Sequence, residues 1–195
     1  MLNLKLTTDA WWVKMVVEGN ISEILTDHAY CEQKAASTAI SLIVLYPQHV
    51  ELVEKMADLA KEEMSHFQMV HDIIRKRGFK LGKERKDDYV LELMAYLKRQ
   101  GKSKAEVLAD KLLLCAMIEA RSCERFKVLS ENINDEELAA FYYNLMKSEA
   151  RHYTMFIKLA KKLCPEVKVD EKWAELVDFE AGVIAKRGLR ETVHG

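Results

Sequence analysis

Only two prolines interrupt this chain, Pro47 and Pro165, and from residue 102 to residue 164 there is neither proline nor glycine. Proline inside a helix costs about 3 kcal/mol and glycine about 1, so stretches that avoid both are free to run as long helices. The intervening residues are dominated by Ala, Leu, Glu, Lys and Met, all good helix formers. Seven glycines in all leave too few tight turns for an all-β fold. The chain is therefore expected to be all-α.

The punctuation predicts where the helices lie. A short amphipathic segment is expected from Thr8 to Gly19, then a long helix from Ile21 to Tyr46. Pro47 fits the first turn of a second long helix reaching Arg77. Arg75, Lys76 and Arg77 suit its negative C-terminal end, and Gly78 stands just past it. A polar, basic connection from Gly78 to Asp88 leads to a shorter helix, Asp88 to Arg99, ended by Gly101. Ser103 with Glu106, and Asn134 with Glu137, read as capping boxes opening a third and a fourth long helix, to about Asn132 and Cys164. Asp170 is expected to cap a last helix ending at Gly188. Two tight pairs of long helices joined by one long crossover are the layout of a ferritin-like four-helix bundle, with additional short helices at the N-terminus, in the crossover and at the C-terminus. With 195 residues, 49% of them hydrophobic, the expectation is a single domain, 1–195.

A formal net charge of −1 gives no global field to attract nucleic acid, so any such contact needs a local basic patch. Cys31, Cys115, Cys123 and Cys164 form no Cys-x-x-Cys pair and fit small apolar roles in a reducing compartment. No basic-then-apolar opening marks a secretion signal, and the longest apolar stretch, Ala39 to Tyr46, is too short to span a bilayer. A cytoplasmic protein is expected.

Two Glu-x-x-His units stand out, Glu63 to His66 and Glu149 to His152; three residues apart on a helix puts both side chains on one face. One such unit carries little, and a third match, Glu191 to His194, falls in the tail and reads as accidental. The strength lies in a repeat. Glu32 precedes Glu63 by 31 residues and Glu119 precedes Glu149 by 30, so each long helix pair carries one Glu on its first helix and Glu-x-x-His on its second. Each carboxylate also sits on an apolar stripe: Glu32 with Ala35, Ala36 and Ala39, Glu119 with Cys115, Ala116 and Cys123, Glu63 with Leu59, Ala60 and Phe67, Glu149 with Leu145 and Tyr153. Four carboxylates buried together would repel, and two dications solve that problem. Glu32, Glu63, His66, Glu119, Glu149 and His152 match the ligand set of di-iron and di-manganese carboxylate bundles, and an oxygen-rich set with two imidazoles suits iron or manganese better than zinc or copper. Taken singly, each is more readily a surface charge or a core histidine; the joint pattern makes the case. Which Glu bridges is open. Asp27, His28, Glu62 and Glu124 are candidates for orienting the ligands, with no basis for choosing among them.

The segment from Ile24 to Ala36, with Tyr30-Cys-Glu32 at its centre, resembles the bacterial MiaE-type family that hydroxylates 2-methylthio-N6-isopentenyladenosine in tRNA. The resemblance extends to Leu4–Asn20, to Lys61-Glu-Glu63-Met-Ser-His66-Phe, to Arg77-Gly78, Leu81-Gly82 and Arg85-Lys86-Asp87-Asp88-Tyr89, and to Glu149-Ala-Arg-His152-Tyr, and all six metal positions match. It implies a tRNA-modifying monooxygenase with a non-haem di-iron centre that uses O2 and hydroxylates an allylic methyl of the isopentenyl group next to the anticodon. Its two electrons must come from an external reductase or ferredoxin, since the chain has no flavin or nicotinamide motif. The small residues Ala35, Ala36, Cys115 and Ala116 either leave room for a prenyl group or simply let helices pack closely.

Binding tRNA needs cations. Arg75, Lys76, Arg77, Lys80, Lys83, Arg85 and Lys86 are basic, with Glu84 the one acidic residue among positions 75 to 86. This crossover stretch is the best candidate for phosphate contact, with Lys98, Arg99, Lys102 and Lys104 as a weaker patch. Tyr89 and Tyr96 are candidates to stack on a base, although aromatic residues at helical spacing are more often core. Competing readings are an iron-storing ferroxidase, a rubrerythrin-like peroxide scavenger, a radical-generating reductase subunit using Tyr30 or Tyr153, and a non-catalytic RNA-binding module. The second lacks its usual Cys-x-x-Cys units here, the third usually has an Asp among its ligands, and the last leaves six aligned ligands unexplained.

Overall fold

The structure is a computed structural model that describes residue 2, residues 4–98 and residues 103–187. Among these residues there are helices and no strands. A π-helical turn, Val13–Val17, is followed by α1 (Ile21–Leu45), α2 (Val50–Lys76), α3 (Asp88–Leu97), α4 (Lys104–Asn132), α5 (Glu136–Leu163) and α6 (Val169–Arg187). The described residues divide into two compact units, one built on Asn20–Lys86 and the other on those before Asn20 together with those from Asp87 onward.

In the first unit α1 packs along α2. The buried positions of α2 are Leu52, Met56, Leu59, Glu63, His66, Val70 and Ile74, a spacing of alternating fours and threes up to Val70. That is the seam of a coiled-coil-like helix, and Glu63 and His66 occupy seam positions where apolar residues ordinarily sit. Pro47 lies in the turn Tyr46–His49 rather than in the first turn of α2, which starts at Val50. The His49 N–H donates to the Tyr46 carbonyl at 3.1 Å. This leaves proline at the second position of a β-turn, where its fixed φ is favoured and its missing N–H costs nothing. At the other end the Gly78 N–H donates to the Arg75 carbonyl and the Phe79 N–H to that of Ile74, each at 3.0 Å, with Gly78 at φ +74°. This paired closure needs a left-handed residue, and glycine takes that conformation without strain.

In the second unit α4 packs along α5, whose seam is Leu138, Tyr142, Leu145, Glu149, His152, Phe156 and Leu159. The two seams share one rhythm, with Glu and His at matching places. Ser103 and Glu106 form the expected capping box on α4. The cap of α5 is Asp135, one residue later than expected: its carboxylate accepts from the Leu138 N–H at 3.0 Å, while the Asn134 N–H donates to Glu18. α6 begins at Val169, so Asp170 stands in its first turn and pairs with Lys161 at 2.7 Å. The segment expected to be helical from Thr8 starts later, because the Thr8 N–H and hydroxyl both donate to Glu124, at 2.6 and 2.8 Å, and hold that residue away from a helical path.

Arg121 ties the parts of this unit together. Its guanidinium reaches Glu180 of α6, Glu124 of its own helix at 2.8 Å, and the Leu6 carbonyl at 3.1 Å. Tyr89 of α3 donates to the same Glu180 oxygen at 3.1 Å. Tyr89 is buried, and Tyr96 is stacked on Phe179 with ring centroids 4.1 Å apart. Tyr89 is thereby committed to the packing of α3 on α6, while Tyr96 is half-buried with one ring face on Phe179. Gly101, Arg99, Lys102, Gly188 and the Glu191–His194 match lie outside the described residues.

Candidate metal centre

Each unit gathers one of the two expected constellations. In the first, Glu32 of α1 meets Glu63 and His66 of α2, with one ligand atom from each lying within 4.8 Å of the others. His66 Nδ1 stands 3.1 Å from Glu63 Oε2 and 3.5 Å from Glu32 Oε2. Exposure is 5% for Glu32, 0% for Glu63 and 6% for His66. Burial by itself pushes the Glu32 carboxyl up, but hydrogen bonds with His28 and His66 outweigh it and hold the group well below the usual carboxylate range. Burial likewise favours neutral His66; its bonds to Glu32 and Glu63 prevail and raise it to about 10.

The second unit repeats the arrangement more loosely. Glu119 of α4 meets Glu149 and His152 of α5, again with ligand atoms within 4.8 Å of one another. His152 Nδ1 lies 3.6 Å from Glu119 Oε2 and 3.8 Å from Glu149 Oε1. All three side chains are buried. Burial, then the Glu119 charge, pushes the Cys115 thiol up to about 12 and that of Cys123 to about 11, so both stay neutral beside the carboxylates.

The donor chemistry fits a metal. Each constellation offers two carboxylates and one imidazole, shielded from water, at the mutual distances a single cation bridges, and oxygen-rich sets of this kind suit iron or manganese.

Of the four residues proposed to orient the ligands, His28 is in hydrogen-bond reach of an expected ligand: its Nε2 lies 2.7 Å from Glu32 Oε1 and its side chain is fully buried. Glu62 comes only within 3.9 Å of His66 and is exposed to 38%. Glu124 is committed to Arg121 and Thr8, and Asp27 lies 4.0 Å from the Cys31 sulfur. The i,i+4 spacing of His28 and Glu32 was the available signal, one shared with many pairs that never touch.

Of the basic stretch, Arg75, Lys80, Lys83 and Lys86 are exposed and Arg77 and Arg85 are half-buried. Arg85 pairs with Glu23, and Arg75 stands 3.7 Å from Asp72. Lys34 of α1 joins this surface, 3.1 Å from both the Arg85 carbonyl and Glu84, which sequence spacing did not reveal. Two further bonds fasten the stretch to α1: the Tyr30 hydroxyl donates to the Gly82 carbonyl at 3.1 Å, and the Gly82 N–H to the Thr26 hydroxyl at 3.3 Å. A Cβ on Gly82 would come within 3.1 Å of the Thr26 methyl, so a larger residue there would oblige Thr26 to give by a few tenths of an ångström. No helix among the described residues is long and apolar enough to cross a membrane.

The family model described as "tRNA-(MS[2]IO[6]A)-hydroxylase (MiaE)" matches residues 2–195. A Pseudomonas putida protein named tRNA 2-(methylsulfanyl)-N(6)-isopentenyladenosine(37) hydroxylase is 40% identical over 166 residues, 84% of this chain and 77% of that protein. Its Salmonella typhimurium namesake is 30% identical over 207 residues, 82% of this chain and 75% of that protein. Among solved structures, a Synechococcus protein described as having aldehyde deformylating oxygenase activity superposes with a TM-score of 0.89 at 31% identity, covering 98% of this chain and 95% of that one.

Proposed function

Since this chain belongs to the tRNA-(MS[2]IO[6]A)-hydroxylase (MiaE) family, with a ferritin-like helical fold, we propose that it hydroxylates the isopentenyl side chain of 2-methylthio-N6-isopentenyladenosine next to the anticodon of tRNA. We further propose that the chain acts as one domain in which the two constellations form a single di-iron centre. The observation that carries this reading is the repeat itself: two buried sets of two carboxylates and one imidazole, placed at matching seam positions of α2 and α5.

Glu32, Glu63 and His66 would hold one iron, and Glu119, Glu149 and His152 the other. Four carboxylates balance two dications, which makes burial of the whole set tolerable. When bound, the iron pair supplies reductive activation of O2, so that one oxygen atom enters a C–H bond and the other leaves as water with two electrons and two protons. The electrons come from an external reductase or ferredoxin, and the reaction belongs in the cytoplasm, where tRNA is modified. The chain's own side chains hold the metal positions in fixed geometry, and the apolar residues above and below them on each seam (Leu59 and Val70, Leu145 and Phe156) keep water from the ligands. Arg75, Arg77, Lys80, Lys83, Arg85 and Lys86, with Lys34, offer cations to the RNA backbone.

The test is turnover. Fe(II)-loaded protein is given a reductant, O2 and tRNA carrying the methylthio-isopentenyl adenosine, and the digested nucleosides are weighed by mass spectrometry. A gain of one oxygen, absent in Glu119→Ala, is expected. No gain from a protein that holds two irons and consumes O2 would overturn the substrate and leave the metal centre. The Synechococcus likeness makes an aldehyde the control substrate: its deformylation, with tRNA unchanged, would reassign the reaction. A ferroxidase without an RNA substrate is not favoured by the family match.

A further inference from the structure

The two constellations are alike in their ligands and unlike one helical turn upstream. Four residues before Glu32 stands His28; four before Glu119 stands Cys115. Both positions face the core, at 0% and 7% exposure, so each side chain is placed to meet the carboxylate of its own helix. An imidazole N–H is a full hydrogen-bond donor to a carboxylate, whereas a thiol is a weak one. His28 Nε2 to Glu32 Oε1 is 2.7 Å, and the other oxygen of Glu32 lies 3.5 Å from His66. In the second constellation His152 Nδ1 lies 3.6 Å from Glu119 Oε2 and 3.8 Å from Glu149 Oε1.

Resting on the metal-centre reading above, we propose that His28 is a positioning residue for Glu32 and that it makes the two metal positions inequivalent. His28 engages Oε1 on the side away from His66, which leaves Oε2 as the oxygen that faces His66. Glu32 is thereby fixed as a one-oxygen ligand, its rotamer set before metal arrives. Glu119, with Cys115 in the corresponding place, keeps the freedom to present either oxygen or both. Outer partners that orient a ligand typically contribute 10–100-fold in metal affinity. The metal position served by Glu32 should therefore depend on His28, and the position served by Glu119 should not.

The experiment is a titration of the metal-free chain, residues 1–195, with Co(II) alone, followed by calorimetry and by the visible absorption of the bound ion, for wild type, His28→Leu and His28→Gln. The wild type should take up two ions. His28→Leu should weaken one of the two by about 10–100-fold and change its absorption band, leaving the other ion's affinity within about twofold. Glutamine carries an amide N–H at nearly the reach of Nε2, so His28→Gln should restore most of the lost affinity. Circular dichroism checks the fold of each variant; if His28→Leu does not fold, His28→Asn, too short to reach Glu32, carries the same expectation. Two unchanged isotherms, or an equal loss at both ions, would overturn the proposal. A wild-type chain that takes up no Co(II) would instead overturn the metal centre, and the role of His28 with it.

Discussion

Arg121 and Glu180 meet at 2.7 Å with neither side chain exposed to solvent. The guanidinium and carboxylate have both left water, so each depends on the other for compensation. Glu180→Ala should destabilise the fold by about 3 kcal/mol, because it leaves the buried guanidinium with Glu124 as its remaining carboxylate. Tyr89→Phe removes only one donor from the same carboxylate and should cost about 1 kcal/mol. Urea unfolding followed by circular dichroism checks both, and equal losses would show that the network is not centred on this pair.

The ligand assignment predicts a stoichiometry. Wild-type protein reconstituted with Fe(II) should hold two irons, and Glu119→Ala or His152→Ala about one, with hydroxylation abolished in both. Elemental analysis alongside the nucleoside assay decides this, and full activity in either variant would remove that residue from the site.

Without metal, the first constellation should give the protein a two-sided pH response. His66 is raised to about 10 from an ordinary value near 6.5, so its stabilisation is complete below about 6.5 and is lost as pH climbs through 10. Glu32 is held below its ordinary value, so its contribution is present above about 4.5 and disappears as pH falls through the lowered value. The melting temperature of chelator-treated protein should therefore be highest between these limits and fall toward alkaline pH. His66→Phe should flatten the alkaline fall. Because a metal binds the neutral imidazole, loading the protein should release a proton near pH 7, measurable in weakly buffered solution.

Thiol reactivity should be confined to one position. Cys115, Cys123 and Cys164 are buried, and burial raises all three, the first two to about 12 and 11. Cys31 is only part-buried. Iodoacetamide at pH 8 should label Cys31 first, with the other three reacting only on unfolding; peptide mass mapping identifies the site.

The exposed lysines of the crossover allow the RNA surface to be tested apart from the metal. Charge reversal at Lys80, Lys83 and Lys86 should weaken tRNA binding and reduce its salt slope by roughly one unit for each phosphate no longer neutralised. Iron content should be unchanged. Binding that keeps both its strength and its slope would place the RNA elsewhere.

The four long helices and the gathering of buried Glu and His side chains within each helix pair were legible because they rest on local periodicity. Glu63 and His66 sit in a strict seam of α2, as Glu149 and His152 do in α5, and a charged residue in a seam is conspicuous. What was illegible depends on partners far along the chain. Thr8 reads as helical because nothing nearby says that Glu124, 116 residues away, will claim it. Asn134 and Asp135 are both good caps, and the choice turned on Glu18 taking the Asn134 N–H. His28 could not be picked from Asp27, Glu62 and Glu124 because a side chain's direction is set by packing on every side. The Arg121 network joins an N-terminal carbonyl, α3, α4 and α6, and no sequence window spans them.

The stretch from Gly78 to Lys86 lacks helix and strand, yet α1 grips it at Gly82, Glu84 and Arg85 through Thr26, Tyr30, Lys34 and Glu23. A loop of this composition would ordinarily sample many shapes, and fixing it on a polyanion would cost about 1–2 kcal/mol of backbone entropy per residue ordered. Here that loss has been taken during folding. The backbone is pinned to α1 at three neighbouring residues, so a polyanion docking on the proposed cations would find that part of the loop already ordered.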